Sequence, residues 1–241
     1  MHYTINISKF VINQNHIFMK KLVYLLLFVS MVSYSQNAFM EYQFSAKRGT
    51  ESAILALTDD IWGDAKFKSG GINIESFSIG NEGSTHRIVL YGDPGNWGRN
   101  DSISAANKWG VFIQKLNNHI EKWTHSSSGN VMSWVGDNEA YNYVQIFEFK
   151  ASDPVAFKAA HDEIVSEMTS YRKGEVGFGS YEIAGFQGAT HWVAITANDW
   201  ADLISTRRAM KKITKPWKKY YKSRGKVEHV RNYTAKIIKR Y

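Results

Sequence analysis

The residues of this chain best suited by type and spacing to do chemistry are His86 and His191. Each closes a Gly-x-x-Gly-x-Thr-His segment, built on Gly80, Gly83 and Thr85 and again on Gly185, Gly188 and Thr190. An imidazole there can act as base, hydrogen-bond donor or metal ligand. A Thr-His pair that merely opens a strand, its ring satisfying a turn, accounts for the same residues. A second set, Tyr42, Arg87, Tyr91, Trp134, Phe147, Trp192 and Tyr233, offers rings and one cation for a ligand pocket, which typically joins apolar walls to a few polar groups. The same rings can simply fill a core. Metal chemistry has little to build on: there is no cysteine, no His-Glu-x-x-His, no calcium-loop pattern and no histidine pair one helical turn apart. Lack of cysteine also removes disulfides and thiol nucleophiles. No Gly-x-Ser-x-Gly elbow is present. His161-Asp162-Glu163 reads as a solvated helix face.

The elements that must position these residues follow from periodicity. Phe39 to Ala46 alternates polar and apolar residues as a half-buried strand does. Thr50 then caps a helix with Ile54, Leu57, Ile61 and Ala65 on one face. Ile72 to Ile79 and Ser84 to Gly92 read as strands. Ile103, Ala106, Gly110, Ile113, Leu116, Ile120 and Trp123 form one helical stripe, and Val131 to Val135 a fourth strand. The order recurs: strand Tyr143 to Lys150, a helix with Asp153 as N-cap and Pro154 at its first position, strands Val176 to Ile183 and Thr190 to Ala197, a helix over Asp199 to Ser223, and strand Val227 to Ile237. Pro216 should kink or break the last helix. Alternation puts His86, Ile88 and Leu90 on one strand face and Arg87, Val89 and Tyr91 on the other. If the aliphatic face meets the helices, Arg87, Tyr91 and Trp192 face the space between the two halves and the histidines do not.

The two copies align at an offset of 105 residues where their third strands begin, which also superposes Phe44 on Phe149 and Ala46 on Ala151, while the first helices run about two residues out of register and the first copy has a longer loop around Asn96 to Asp101. A strand-helix-strand-strand-helix-strand unit is the split βαβ, or ferredoxin-like, motif. From Phe39 onward the chain, with its paired Gly80 and Gly185 segments, resembles the dimeric α+β barrel superfamily in tandem form. The resemblance implies an α+β fold in which units 36–138 and 139–241 pack sheet to sheet as a pseudo-dimeric barrel. That superfamily contains cofactor-free monooxygenases, haem-degrading enzymes, chlorite dismutase-like haem proteins and stress-response proteins, so fold does not specify function.

Charge and the N-terminus bear on partners and place. From Arg207 to Tyr241 Lys and Arg crowd the chain against the single acid Glu228. Arg207, Arg208, Lys211, Lys212, Lys215, Lys218, Lys219 and Lys222 make a surface for anionic lipid or polysaccharide, or an amphipathic helix whose cations are only solvated; nucleic acid is disfavoured for an exported protein. Met19-Lys20-Lys21, the apolar stretch Leu22 to Val32 and Ser33-Tyr34-Ser35 have the order of a secretory signal, with cleavage near Ser35. Residues 1–18 read as an upstream start and 19–35 as the signal. A periplasmic or secreted product is expected. Three functions stay open: binding of a small apolar or aromatic ligand between the halves, an oxygenase-like or haem-dependent enzyme using His86 or His191, and an envelope adaptor acting through the basic helix. The sequence requires no cofactor, and haem remains open.

Overall fold

Among the described residues the strand and helix patterns resolve into eight strands, closed as one barrel, and five α-helices. The computed structural model describes residues 37–100, 105–136 and 141–241. The expected signal and upstream residues lie outside them. In chain order the elements are β1 (Ala38–Ala46), α1 (Glu51–Trp62), β2 (Gly71–Ile79), β3 (His86–Gly92), α2 (Ala105–Asn117), β4 (Ile120–Val135), β5 (Tyr143–Ala151), α3 (Pro154–Glu167), β6 (Val176–Ile183), β7 (His191–Ala197), α4 (Trp200–Lys211), α5 (Thr214–Ser223) and β8 (Val227–Arg240). Among the described residues no helix is long and apolar enough to cross a membrane.

Every ladder is antiparallel, and the strand order β1-β3-β2-β8-β5-β7-β6-β4 closes when β4 pairs with β1. Each half has its first strand flanked by its third and fourth. A lone half would leave two edges unpaired, and edges left open invite association. Here β2 pairs with β8 and β4 with β6, so each half covers the edges of the other. This requires long fourth strands. The 16 residues of β4 pair with β1 over Ile120–Asn130 and with β6 over Ser128–Val135; the 14 residues of β8 divide likewise between β5 and β2.

That length corrects the helical stripe. The helix α2 stops at Asn117, and Ile120 and Trp123 belong to β4. Their apolar spacing persisted because helix and strand face one core: Ile120 joins Phe44, Ile54, Ile61, Trp62, Ile72, Ile74, Ile88, Phe112 and Leu116 beneath α1 and α2. Thr50 does not cap α1; its hydroxyl donates to the Lys47 and His119 carbonyls, at 2.7 and 3.1 Å, tying the strand end to the start of β4. Asp153 does cap α3, accepting from the Ala156 amide at 2.9 Å, with Pro154 in the first turn. The last helix breaks before Pro216, at Lys212 and Ile213, so that Pro216 falls in the first turn of α5, where its missing N–H costs little. Trp217 Nε1 donates to the Met210 carbonyl at 2.9 Å across that break.

The paired Gly-x-x-Gly-x-Thr-His segments turn out to be strand-joining devices. Gly83 and Gly188 take φ of +89° and +78°, which an L side chain resists. Thr85 then accepts from the Ala46 amide at 2.7 Å and Thr190 from the Ala151 amide at 3.2 Å, while His86 and His191 place Nδ1 2.9 and 2.8 Å from those hydroxyls. Each imidazole stacks on the phenyl of its partner strand, Phe44 or Phe149. Both rings lie on the helix side of the barrel.

Candidate functional site

The opposite strand faces turn inward, and they carry charge. Glu41 on β1, Glu75 on β2, Arg87 on β3, Glu148 on β5 and Arg231 on β8 are all buried. Arg87 Nη1 donates to Glu41 Oε2 at 2.9 Å and to the Tyr233 hydroxyl at 2.8 Å; its Nε donates to Glu75 Oε2 at 2.9 Å. Tyr233 donates onward to Glu148 Oε1 at 3.1 Å, and Tyr181 reaches the same oxygen at 2.8 Å. Arg231 closes the chain through Nε to Glu148 Oε2 at 2.7 Å. Ser127 and Gln43 donate to Glu41 Oε1 at 2.7 and 3.1 Å. Burial by itself would lower the Arg87 pKa, but Glu75, Tyr233 and Glu41 hold it well above the ordinary guanidinium value. Burial pushes the Tyr181 and Tyr233 hydroxyls far up, so both stay neutral and can relay hydrogen bonds.

One end of the barrel above this network is hollow. A cavity of about 410 Å³ lies where Phe39, Val89, Val131, Val144, Ile146 and Ala194 make apolar walls over Glu41, Glu75 and Arg87, with Asn73, Trp134, Glu175, Thr196 and Arg240 toward the strand ends. The volume falls within the roughly 300–1,000 Å³ usual for small-molecule sites. Two tryptophans owe their places to glycines on β6. Trp134 pairs across the ladder with Gly177 and Trp192 with Gly179, and a Cβ at either glycine would collide with the facing indole. Trp192 is further held edge-on to Phe39, ring centroids 5.6 Å apart. Two of the lining residues carry a buried polar atom with no partner among the described residues: Trp192 Nε1, on a side chain only 8% exposed, and Asn73 Oδ1.

Of the aromatic set named from sequence, Arg87, Tyr91, Trp134 and Trp192 line this cavity and Tyr233 lies in the network beneath it. Tyr42 and Phe147 do not join them. Alternation sends Tyr42 outward between inward Glu41 and Gln43, against Trp109 and Trp123 at 6.4 Å each. Phe147, between inward Ile146 and Glu148, lies on the helix side under the Arg207 guanidinium. His86 and His191 stand on the helix side too, their pKa values lowered by burial. Neither lines the barrel cavity, and among the described lining residues there is no histidine, so the residues present do not fit haem held there by His86 or His191. No group of three potential metal ligands occurs among the described residues.

Sequence reasoning missed Glu41, Glu75, Asn73, Glu148 and Tyr181. Alternation alone does not say which strand face is wet, and closure of the sheet makes the polar half of β1 the interior. The pattern Gly177-Phe178-Gly179 facing Trp134 and Trp192 was the available signal. His161, expected on a solvated face, is instead buried, 3% exposed, against Phe157 and Phe178. In the basic tract Arg208, Lys211, Lys212, Lys215, Lys218, Lys219 and Lys222 are exposed on α4 and α5 and their junction; Lys219 pairs with Glu163, and half-buried Arg207 donates to Gln145 at 3.0 Å.

No protein-family model and no curated protein matches the chain by sequence. Solved structures do match by fold. A protein of Lactobacillus acidophilus named a "putative monooxygenase" superposes with a TM-score of 0.58 at 14% identity, covering 85% of this chain and 94% of its own. One of the same name from Fusobacterium nucleatum gives 0.55 at 13%, covering 86% and 94%. An anthrone oxidase-like protein gives 0.51 at 8%, covering 87% and 94%. Element order, barrel closure and these superpositions show that the chain has the fold of the dimeric α+β barrel proteins, in tandem form.

Proposed function

We propose that the protein is an exported binder of a compact aromatic or apolar ligand, held in the barrel-end cavity between the two halves. One observation carries this reading: an apolar, ring-lined cavity of about 410 Å³ over a buried charged floor. The ligand class follows: a compact, flat, largely apolar molecule that fits that volume. Thermal shift and native mass spectrometry across phenols, quinones and indoles should find stabilising ligands bound one to one. The variant Ala194→Phe, which fills the cavity from β7, should bind none of them. Equal binding by the filled variant would refute the site. Export is tested by N-terminal sequencing of the protein recovered outside the cytoplasm, with Gln36 the expected first residue.

A second reading makes the cavity catalytic. Glu41 and Glu75 at its floor are carboxylates 2.9 Å or less from Arg87, placed to take a proton from an acidic phenolic substrate that molecular oxygen then oxidises. The fold shared with proteins named as monooxygenases favours it over other chemistries. Oxygen uptake with any ligand found above, lost in Glu75→Gln while binding persists, is the result it requires; no uptake with any bound ligand would leave the protein a binder.

A further inference from the structure

The helix layers of the two halves are built differently. Beneath α1 and α2 one continuous apolar cluster fills the space, and the hollows bordering it measure about 200 and 290 Å³. Beneath α3, α4 and α5 the core is divided into two clusters, one around Phe149, Phe157 and Phe178 and the other around Ile164, Met168 and Met210. Between them lies a cavity of about 710 Å³ walled by side chains such as Val165, Val193, Ile195 and Trp217. Although α5 roofs this space, it has no buried residue. A helix laid over a solid core would bury one face.

The cavity is apolar in its depth and cationic at its margin. Arg207, Lys211, Lys218 and Arg224 border it, and none of the four is in an ion pair among the described residues. Arg207 lies over the Phe147 ring and Arg224 over Tyr220 and Tyr221, 5.2 and 4.7 Å from their centroids, so both guanidiniums are held at the wall. His161 lines the same space with Nε2 buried and unpartnered, while its Nδ1 stands 3.3 Å from Asp162 Oδ1.

We infer that this hollow holds a single-chain amphiphile, its hydrocarbon tail between α3, α5 and the sheet and its anionic head group on Arg207, Lys211, Lys218 and Arg224. The occupant is of the fatty-carboxylate class. Apolar walls remove the tail from water, and the cations outside any ion pair favour a negative head. The basic tract that looked like a flat surface for anions is, on this reading, the rim of a pocket.

The experiment is displacement of a fluorescent amphiphile, 11-(dansylamino)undecanoate, from the full protein by myristate and by uncharged tetradecanol. Myristate should displace it, with tetradecanol at least tenfold weaker. Lys211→Glu with Lys218→Glu should weaken myristate at least tenfold. Ile195→Trp, and as a milder filling Val193→Phe, should abolish binding while circular dichroism stays unchanged. Ala194→Phe, which fills the barrel cavity instead, should leave it unaltered, so that this site and the barrel site fail or stand separately. Equal affinity for acid and alcohol, undiminished binding in both filled variants, or loss in Ala194→Phe would overturn the proposal. So would recruitment to anionic vesicles that is indifferent to Ile195→Trp and unaccompanied by binding of monomeric myristate, which would assign the cations to a membrane surface.

Discussion

Arg87 holds two buried carboxylates and a neutral tyrosine at once, and Glu148 anchors Arg231, Tyr181 and Tyr233. Removing one member of such a network strands the rest, which typically costs about 3–5 kcal/mol. Arg87→Met should therefore lower stability by about that amount in urea unfolding. Adding Glu75→Gln should restore part of the loss, because one of the stranded charges goes with it. Simple addition of the two single effects would show that the groups are not coupled. The histidines make a second, separate contribution. Burial lowers the pKa values of His86, His161 and His191 from the ordinary 6.5. The folded state thus binds fewer protons than the unfolded one, and the stability these rings contribute is complete above about pH 6.5 and lost as pH falls toward their folded-state values. Stability measured between pH 7 and pH 5 should drop, and the triple change to Gln should flatten that slope. An identical slope in the variant would contradict the assignment.

Elements were legible to different degrees, and the reasons are physical. Strand β1 and helix α3 were readable because alternation in one and the Asp153-Pro154 start in the other are local signals. The boundary between α2 and β4 was not, because Leu116, Ile120 and Trp123 keep a helical spacing while serving a helix and then a strand over one core. Inward carboxylates escaped notice for a related reason: Glu41 and Gln43 look like a solvent face until β4 closes on β1. The Thr-His pairs were the most visible repeat, yet their rings do not line the barrel cavity. They are visible because a tight turn followed by a Thr-satisfied strand start admits few residue types. Strand β6 makes the opposite case, with two unremarkable glycines that decide where Trp134 and Trp192 lie. Gly179→Ala would place a methyl 2.5 Å from Trp192 Cε2. It should destabilise by about 1–3 kcal/mol, as overpacking does, and displace the indole from the cavity. A drop in ligand affinity larger than the drop in stability explains is the expected signature.

At the scale of the whole molecule, closure is what creates a site. Pairing β2 with β8 and β4 with β6 turns two open sheets into a vessel with a charged floor and an apolar end. The halves differ at matching positions, with Trp192 in the second where the first has Arg87, at the same offset that aligns the histidines. The central claim is that a guest occupies that end beside Trp192 and Trp134. The chain has eight tryptophans, so its indole N–H groups can be followed individually by nitrogen-resolved NMR. Adding a ligand identified by native mass spectrometry should move the Trp192 and Trp134 Nε1–H resonances and leave those of Trp62 and Trp217 in place. A bound ligand that leaves Trp192 unmoved would contradict the account.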